Sequence, residues 1–276
     1  MFANCLSASA LAVAGVLGLS TNVLAAELPA KAPAYKAPAA IAPNWTGFYA
    51  GLNAGYGWSK GSADLLASEP LIFIPAQTAG SLPTSLSPHM RGFVGGGQVG
   101  YNWQIDRTIG GLEADIAYSS MKGDAVFSVP FNVGNPPMTT TQSNKVNWLG
   151  TLRPRLGWLW TPSTLVYATG GLAYGGVKAS TNVNVDVAGS CPSANAFCST
   201  GSVSKTRAGW TVGGGVETII TSNWTAKIDY LYFDLGNESY PIVSNVTFGP
   251  GGTEVMRADA RFNGHIVRVG LNYKFN

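Results

Sequence analysis

Ten polar side chains sit where they could do chemistry together: Gln98, Asn102, Glu113, Asp115, Arg153, Arg155, Glu217, Lys227, Asp229 and Arg268. Four of them are acids and four are bases, so their charges balance. Such a set supports one of three chemistries: acid–base catalysis by paired carboxylates, an ion path lined by charge, or a packed layer of ion pairs. Catalysis by a nucleophile needs a base beside it. The chain has only two histidines, His89 and His265, and no Ser/His/Asp set accompanies the carboxylates. The enzymatic reading is therefore set aside.

Two further groups carry chemistry of their own. His89, followed by Met90, is a candidate for holding haem, the alternative being a solvated loop histidine. No other cofactor is implied. Cys191 and Cys198 are read as a local disulfide, because an exported chain enters an oxidising compartment. A metal pair is the alternative, but it lacks a nearby histidine or further cysteine.

The ten polar residues must be positioned by strands, since each lies in a segment of alternating pattern. In "HIVRVGLNYKFN", Val267, Val269, Leu271, Tyr273 and Phe275 alternate with Arg268, Gly270, Asn272 and Lys274. That period of two gives a strand with one apolar and one polar face. The pattern returns along the chain to give eight strands, from "TGFYAGLNAGYGWS" to this last one. "DRT", "TPS" and "TSN" are short turns. The longer connections, near Lys60–Met90, Met121–Lys145, Ala179–Thr206 and Asn237–Arg261, alternate with them.

Composition decides which medium the apolar faces meet. Charged residues are 11% of the 276, against roughly 25% in an ordinary soluble domain. After the N-terminal segment no apolar run reaches the ~18 residues that a spanning helix needs. A closed β-barrel is the other structure that lipid tolerates. Laid antiparallel, the strands bring Trp58, Phe93, Tyr118, Trp148, Tyr174, Trp210 and Tyr232 to the long-loop end. Phe48, Tyr101, Trp103, Trp158, Trp160, Trp224, Tyr273 and Phe275 fall at the short-turn end. Two aromatic girdles are the mark of a barrel crossing a bilayer, whereas a soluble barrel has no need of them. The expected fold is all-β: an eight-stranded antiparallel up-and-down transmembrane barrel with short periplasmic turns and four long extracellular loops.

The inner face then carries the ten polar residues and many glycines, among them Gly51, Gly55, Gly96, Gly100, Gly171, Gly175, Gly213 and Gly215. An eight-stranded barrel is just wide enough for side chains to fill it. A packed layer of Glu113, Asp115, Arg153, Arg155, Glu217, Lys227, Asp229 and Arg268 is favoured over a narrow channel. The net charge of +3 gives no case for a nucleic-acid partner. "DLLASEPLIFIP", Asp64 to Pro75, is unusually apolar for an external loop. It reads as a contact site for a host surface or another protein, or as a cover folded over the barrel mouth.

The first 26 residues hold no charge. Residues 1–25 are expected to be a secretory signal cleaved after Ala25, although the usual basic residue near the start is missing. Residues 26–44 form a Pro/Ala-rich periplasmic linker, and 45–276 the barrel.

The ordered set "WTGFYAGLNAGYGWS", "GGGQVGYNWQ", "GLEADIAYS", "TLRPRLGW", "YATGGLAYG", "GWTVGGGVE", "WTAKIDYLYFDLG" and "RVGLNYKF" resembles the small outer-membrane β-barrel proteins of the porin-family or surface-antigen type. It resembles the opacity-type adhesin barrels more distantly. The resemblance covers Trp45 to Phe275 and implies the outer membrane of a Gram-negative cell, surface exposure, immunogenicity and a part in envelope integrity. Some members bind haem or act as adhesins. It also implies that Arg268, Gly270, Tyr273 and Phe275 form the signal read by the barrel-assembly machinery, here followed by Asn276. A mature terminus of Ala then an acid resembles those joined to peptidoglycan, which makes Ala26 a candidate attachment point.

Overall fold

The computed structural model describes residues 44–129, 138–185, 197–247 and 252–275. All belong to one unit, Ala42–Asn276. The signal segment, the attachment candidate Ala26 and Cys191 fall outside the described residues, and with Cys191 the expected Cys191–Cys198 pair.

The sheet is antiparallel and has eleven strands: β1 (Gly47–Lys60), β2 (Ser62–Ala67), β3 (Ser85–Leu86), β4 (His89–Ile105), β5 (Thr108–Ser119), β6 (Lys122–Val129), β7 (Met138–Thr161), β8 (Thr164–Val185), β9 (Phe197–Ile219), β10 (Trp224–Ser244) and β11 (Glu254–Lys274). A short helix, α1 (Phe73–Thr78), lies between β2 and β3. The pairing runs β1–β4–β5–β7–β8–β9–β10–β11. It closes where β11 returns to β1, from Tyr49↔Lys274 to Trp58↔His265. The end of the ring is tied as well, because Phe275 N–H donates to the Phe48 carbonyl at 2.8 Å.

The expected eight strands are not the whole sheet, and the expectation of four long loops is corrected here. β2, β3 and β6 are additional, and most of the supposed loops Met121–Lys145, Ala179–Thr206 and Asn237–Arg261 is paired strand, whereas Lys60–Met90 holds β2, α1 and β3. β6 pairs with β7 from Lys122↔Lys145 to Val129↔Met138. β8 and β9 stay paired out to Val185↔Phe197, and β10 and β11 out to Val243↔Glu254. β2 prolongs the line of β1 along β11, from Ser62↔Arg261 to Ala67↔Met256.

The cause is a change of phase. On β11 the apolar residues Val267, Val269, Leu271 and Tyr273 are outside, towards lipid. Farther along the same strand Phe262, Ala260, Ala258 and Met256 are apolar and fully buried inside, while Arg261 and Arg257 point out. Past the membrane the outer face meets water and becomes polar, and the inner face meets a packed core and becomes apolar. On β1 the outward run from Phe48 to Trp58 is ten residue steps. At ~3.3 Å per step and a tilt of about 40°, that gives a band about 25 Å tall, the height of a bilayer's apolar layer.

The segment between β1 and β4 folds over the barrel mouth. Ala63, Leu65, Phe73, Leu82 and Leu86 join the core formed by the extended wall. Leu66, Leu71, Ile72 and Ile74 remain exposed. Glu69 fixes the entry to α1: its carboxylate accepts N–H bonds from Leu71 at 2.8 Å, Ile72 at 2.8 Å and Phe73 at 3.1 Å. Burial opposes ionisation, but these three donors outweigh it and hold the carboxyl below the ordinary range. A lowered carboxyl contributes stability above its unfolded pKa and loses it as pH falls through the folded value. Hydrogen exchange of the Leu71–Phe73 amides is therefore expected to accelerate, beyond its intrinsic trend, only below the ordinary glutamate range. Glu69→Ala should weaken protection of this segment by roughly 1–2 kcal/mol at neutral pH. Protection that is the same in both proteins at neutral pH would contradict this role.

Candidate functional site

The interior is filled in three layers. Nearest the short turns lies a small apolar cluster of Trp45, Ile109, Leu159, Leu165 and Tyr167. Trp45 closes this end: its indole N–H donates to the Pro162 carbonyl at 3.2 Å, and its backbone N–H to Gln104 Oε1 at 2.8 Å.

The middle layer brings together all eight charged residues read from the sequence. Strand parity places them: Glu113 and Asp115 on β5, Arg153 and Arg155 on β7, Glu217 on β9, Lys227 and Asp229 on β10, and Arg268 on β11. All are buried, at 5% exposure or less. Arg153 Nη2 lies 2.7 Å from both Glu113 Oε1 and Asp115 Oδ2. Lys227 Nζ lies 2.9 Å from Glu113 and 3.3 Å from Asp229. Arg268 spans Asp229 at 2.7 Å and Asp115 at 3.0 Å. Arg155 donates to Glu217 and lies 3.5 Å from Glu113. Every acid thus touches at least one base, which is what burial of so many charges demands.

Neutral groups complete the layer, and the pairing of charges alone does not reveal them. Tyr49 O–H donates to Glu113 Oε2 at 2.8 Å and accepts from Arg155 Nη1 at 3.0 Å. The Arg155 guanidinium lies 4.2 Å from the centre of the Tyr167 ring. Thr151 donates to Asp115 at 2.8 Å, Thr225 to Glu217 at 2.6 Å and Asn272 to Glu217 at 2.9 Å. Gln98 and Asn102, expected inside, are there and buried. The signal for Tyr49 and Tyr167 is their parity: each is out of phase with the lipid-facing residues of its strand. Room for them comes from glycine. A Cβ at Gly100 would stand 2.4 Å from the Tyr49 ring, and one at Gly215 would stand 2.9 Å from the Tyr167 hydroxyl.

The outermost layer is the apolar core of the extended wall, with Phe233, Phe262, Leu235, Met256 and Ile266 buried among its members. The expectation of a polar and glycine-lined interior holds for the middle layer and fails here.

Other sequence candidates lie elsewhere. His89 is exposed at the start of β4, opposite Lys60. Met90 points the other way and is 1% exposed, inside the apolar core. The two side chains lie on opposite faces of the strand, so they do not form one iron site. Among the described residues no group of three His, Cys, Asp or Glu side chains is placed to hold a metal ion. Of the assembly-signal residues, Arg268 belongs to the ion-pair layer, while Tyr273 and Phe275 are outside with ring centres 5.2 Å apart. Tyr273 also meets Trp224 at 5.2 Å, and Phe48 meets Tyr101 at 4.5 Å, so ring contacts of the lower girdle bridge β10 to β11 and β1 to β4.

Residues 12–275 match the family described as outer membrane protein beta-barrel domain. The chain is 37% identical over 263 residues to the 31 kDa outer-membrane immunogenic protein of Brucella melitensis, covering 93% of this chain and 95% of that one. It is 27% identical over 266 residues to the 25 kDa outer-membrane immunogenic protein of Brucella abortus, covering 95% of each. Among solved structures, the outer membrane protein OprG of Pseudomonas aeruginosa aligns with a TM-score of 0.46 at 14% identity, over 86% of this chain and 100% of that one. The chain belongs to the outer-membrane β-barrel family and resides in the bacterial outer membrane.

Proposed function

We propose that this protein is a structural barrel of the outer membrane, crossing it with eight long strands and presenting its extended wall and the α1 segment as a surface antigen. The observation that carries this reading is the filled interior. A layer of paired charges and an apolar core stand in series where a pore would need water. The Brucella relatives are known as outer-membrane immunogenic proteins, which supports the antigen role. Envelope integrity follows from the same architecture, because a rigid, sealed barrel adds a fixed point without adding a leak. Within this reading Arg268, Gly270, Tyr273 and Phe275 guide assembly, Cys191 and Cys198 form a disulfide, and Ala26 joins the barrel to peptidoglycan.

Surface presentation is tested with a membrane-impermeant maleimide on whole cells. Leu71→Cys, at a position 72% exposed, should label on intact cells well above the parent protein. Asp106→Cys, in the β4–β5 turn, should label only after the outer membrane is permeabilised. The reverse pattern would place the α1 segment in the periplasm and defeat the proposal.

A further inference from the structure

Four cations stand in one cross-strand row on the outer wall. Arg91 pairs in register with Lys122, Lys122 with Lys145, and Lys145 with Lys178. The next position on β9 is Ser204. Side chains directly opposite on one face have Cβ atoms about 5 Å apart, and like charges so placed repel. On the β9–β11 side of the extended wall the cations are matched: Arg261 to Asp234, Arg257 to Glu254, and Lys205 and Arg207 to Glu238. In the row, Lys122 has Asp124 at 3.1 Å. Among the described residues Arg91, Lys145 and Lys178 have no carboxylate within ion-pair distance.

The row borders a groove of about 330 Å³ across β6, β7, β8 and β9. Its lining combines Lys122, Lys145 and Lys178 with the hydroxyl residues Ser143, Ser180 and Ser204. Three ammonium groups and several hydroxyls are hydrogen-bond donors around one space, the donor set that a phosphate group takes. Height on the wall names the source. The row lies two to four residues beyond the girdle aromatics Phe93, Tyr118, Trp148 and Tyr174 of the same or adjoining strands. It faces outwards from the barrel, just past the apolar band, where the head groups of the outer leaflet lie.

We infer that this groove binds the phosphorylated head group of an outer-leaflet lipid. The bound anion replaces the missing carboxylates and relieves the repulsion along the row. The inference rests on the outward orientation proposed above, which labelling at Leu71 tests separately. A lipid held here fixes one head group at the barrel's edge and couples the protein to the leaflet it seals.

The test uses the refolded full chain in a neutral detergent, with native mass spectrometry as the readout. The probes are a bisphosphorylated glucosamine-disaccharide lipid, the same lipid without phosphates, and inorganic phosphate. The phosphorylated lipid should bind at least ten-fold more tightly than its dephosphorylated form. The double variant K145Q/K178Q should weaken that binding about thirty-fold, at about 1 kcal/mol per lysine. Lys60→Gln, outside the groove, should leave it unchanged. Equal binding of the two lipids, or unchanged binding by K145Q/K178Q, would overturn the inference. Displacement of the lipid by an equal concentration of inorganic phosphate would overturn the lipid assignment and make the groove a site for the free anion.

Discussion

Replacing Glu113 by alanine is expected to cost about 3–5 kcal/mol, enough to leave much of the protein unable to refold. Glu113 is the acid at the centre of the buried layer. It takes Arg153 at 2.7 Å, Lys227 at 2.9 Å and the Tyr49 hydroxyl at 2.8 Å, with Arg155 at 3.5 Å and Arg268 at 3.7 Å. Without it, Asp115, Glu217 and Asp229 face four bases inside a barrel that offers those bases little water. The cost comes less from the bonds removed than from the cation left uncompensated. Asp124→Ala supplies the contrast. Its partner Lys122 is on the outside, with about half of each side chain exposed, so the pair is worth well under 1 kcal/mol. Urea unfolding of both variants in lipid vesicles, followed by tryptophan fluorescence, checks the difference. Equal midpoints would show that the ion-pair layer does not hold the barrel together.

Much of the barrel is legible in the sequence because lipid imposes a simple rule. Wherever a strand crosses the membrane, every second residue must be apolar and face out, as Val267 to Phe275 illustrate. The same rule locates the inward charges, since Glu113, Asp115 and Arg268 occupy the other parity. It fails where the membrane ends. Beyond Trp148 and Tyr174 the outward positions are Lys145, Ser143, Lys178 and Ser180, which read as loop when apolar alternation is the only guide. The inward residues there, Val177, Ala179 and Val183, are apolar because they pack on a core. A reading that followed the flip of phase would have extended β7, β8 and β11 and removed most of the supposed loops. Tyr49 has the same inward parity, but it carries no charge, so the pairing of acids with bases does not point to it. The cation row was hidden because it exists only across strands. Arg91, Lys122, Lys145 and Lys178 are far apart in sequence, and only the register of four pairings lines them up.

The second large effect concerns permeability. A channel through this barrel would have to breach both the charged layer and the apolar core above it. Removing one layer is not expected to suffice. Glu113→Gln keeps the side chain's volume and leaves Phe233, Phe262 and Leu235, all essentially inaccessible, across the path. Apolar packing at interior density leaves no room for a hydrated ion, and an ion stripped of water pays a cost that no pair of side chains here offsets.

Planar-bilayer recording of the refolded wild-type protein therefore tests the central claim most directly. The membrane is expected to stay silent, with no steady conductance steps in molar salt, while vesicle insertion and heat-modifiable mobility confirm that the barrel is folded. Steady, charge-selective steps from that folded protein would contradict it, and would mean that the paired charges line a path instead of closing one.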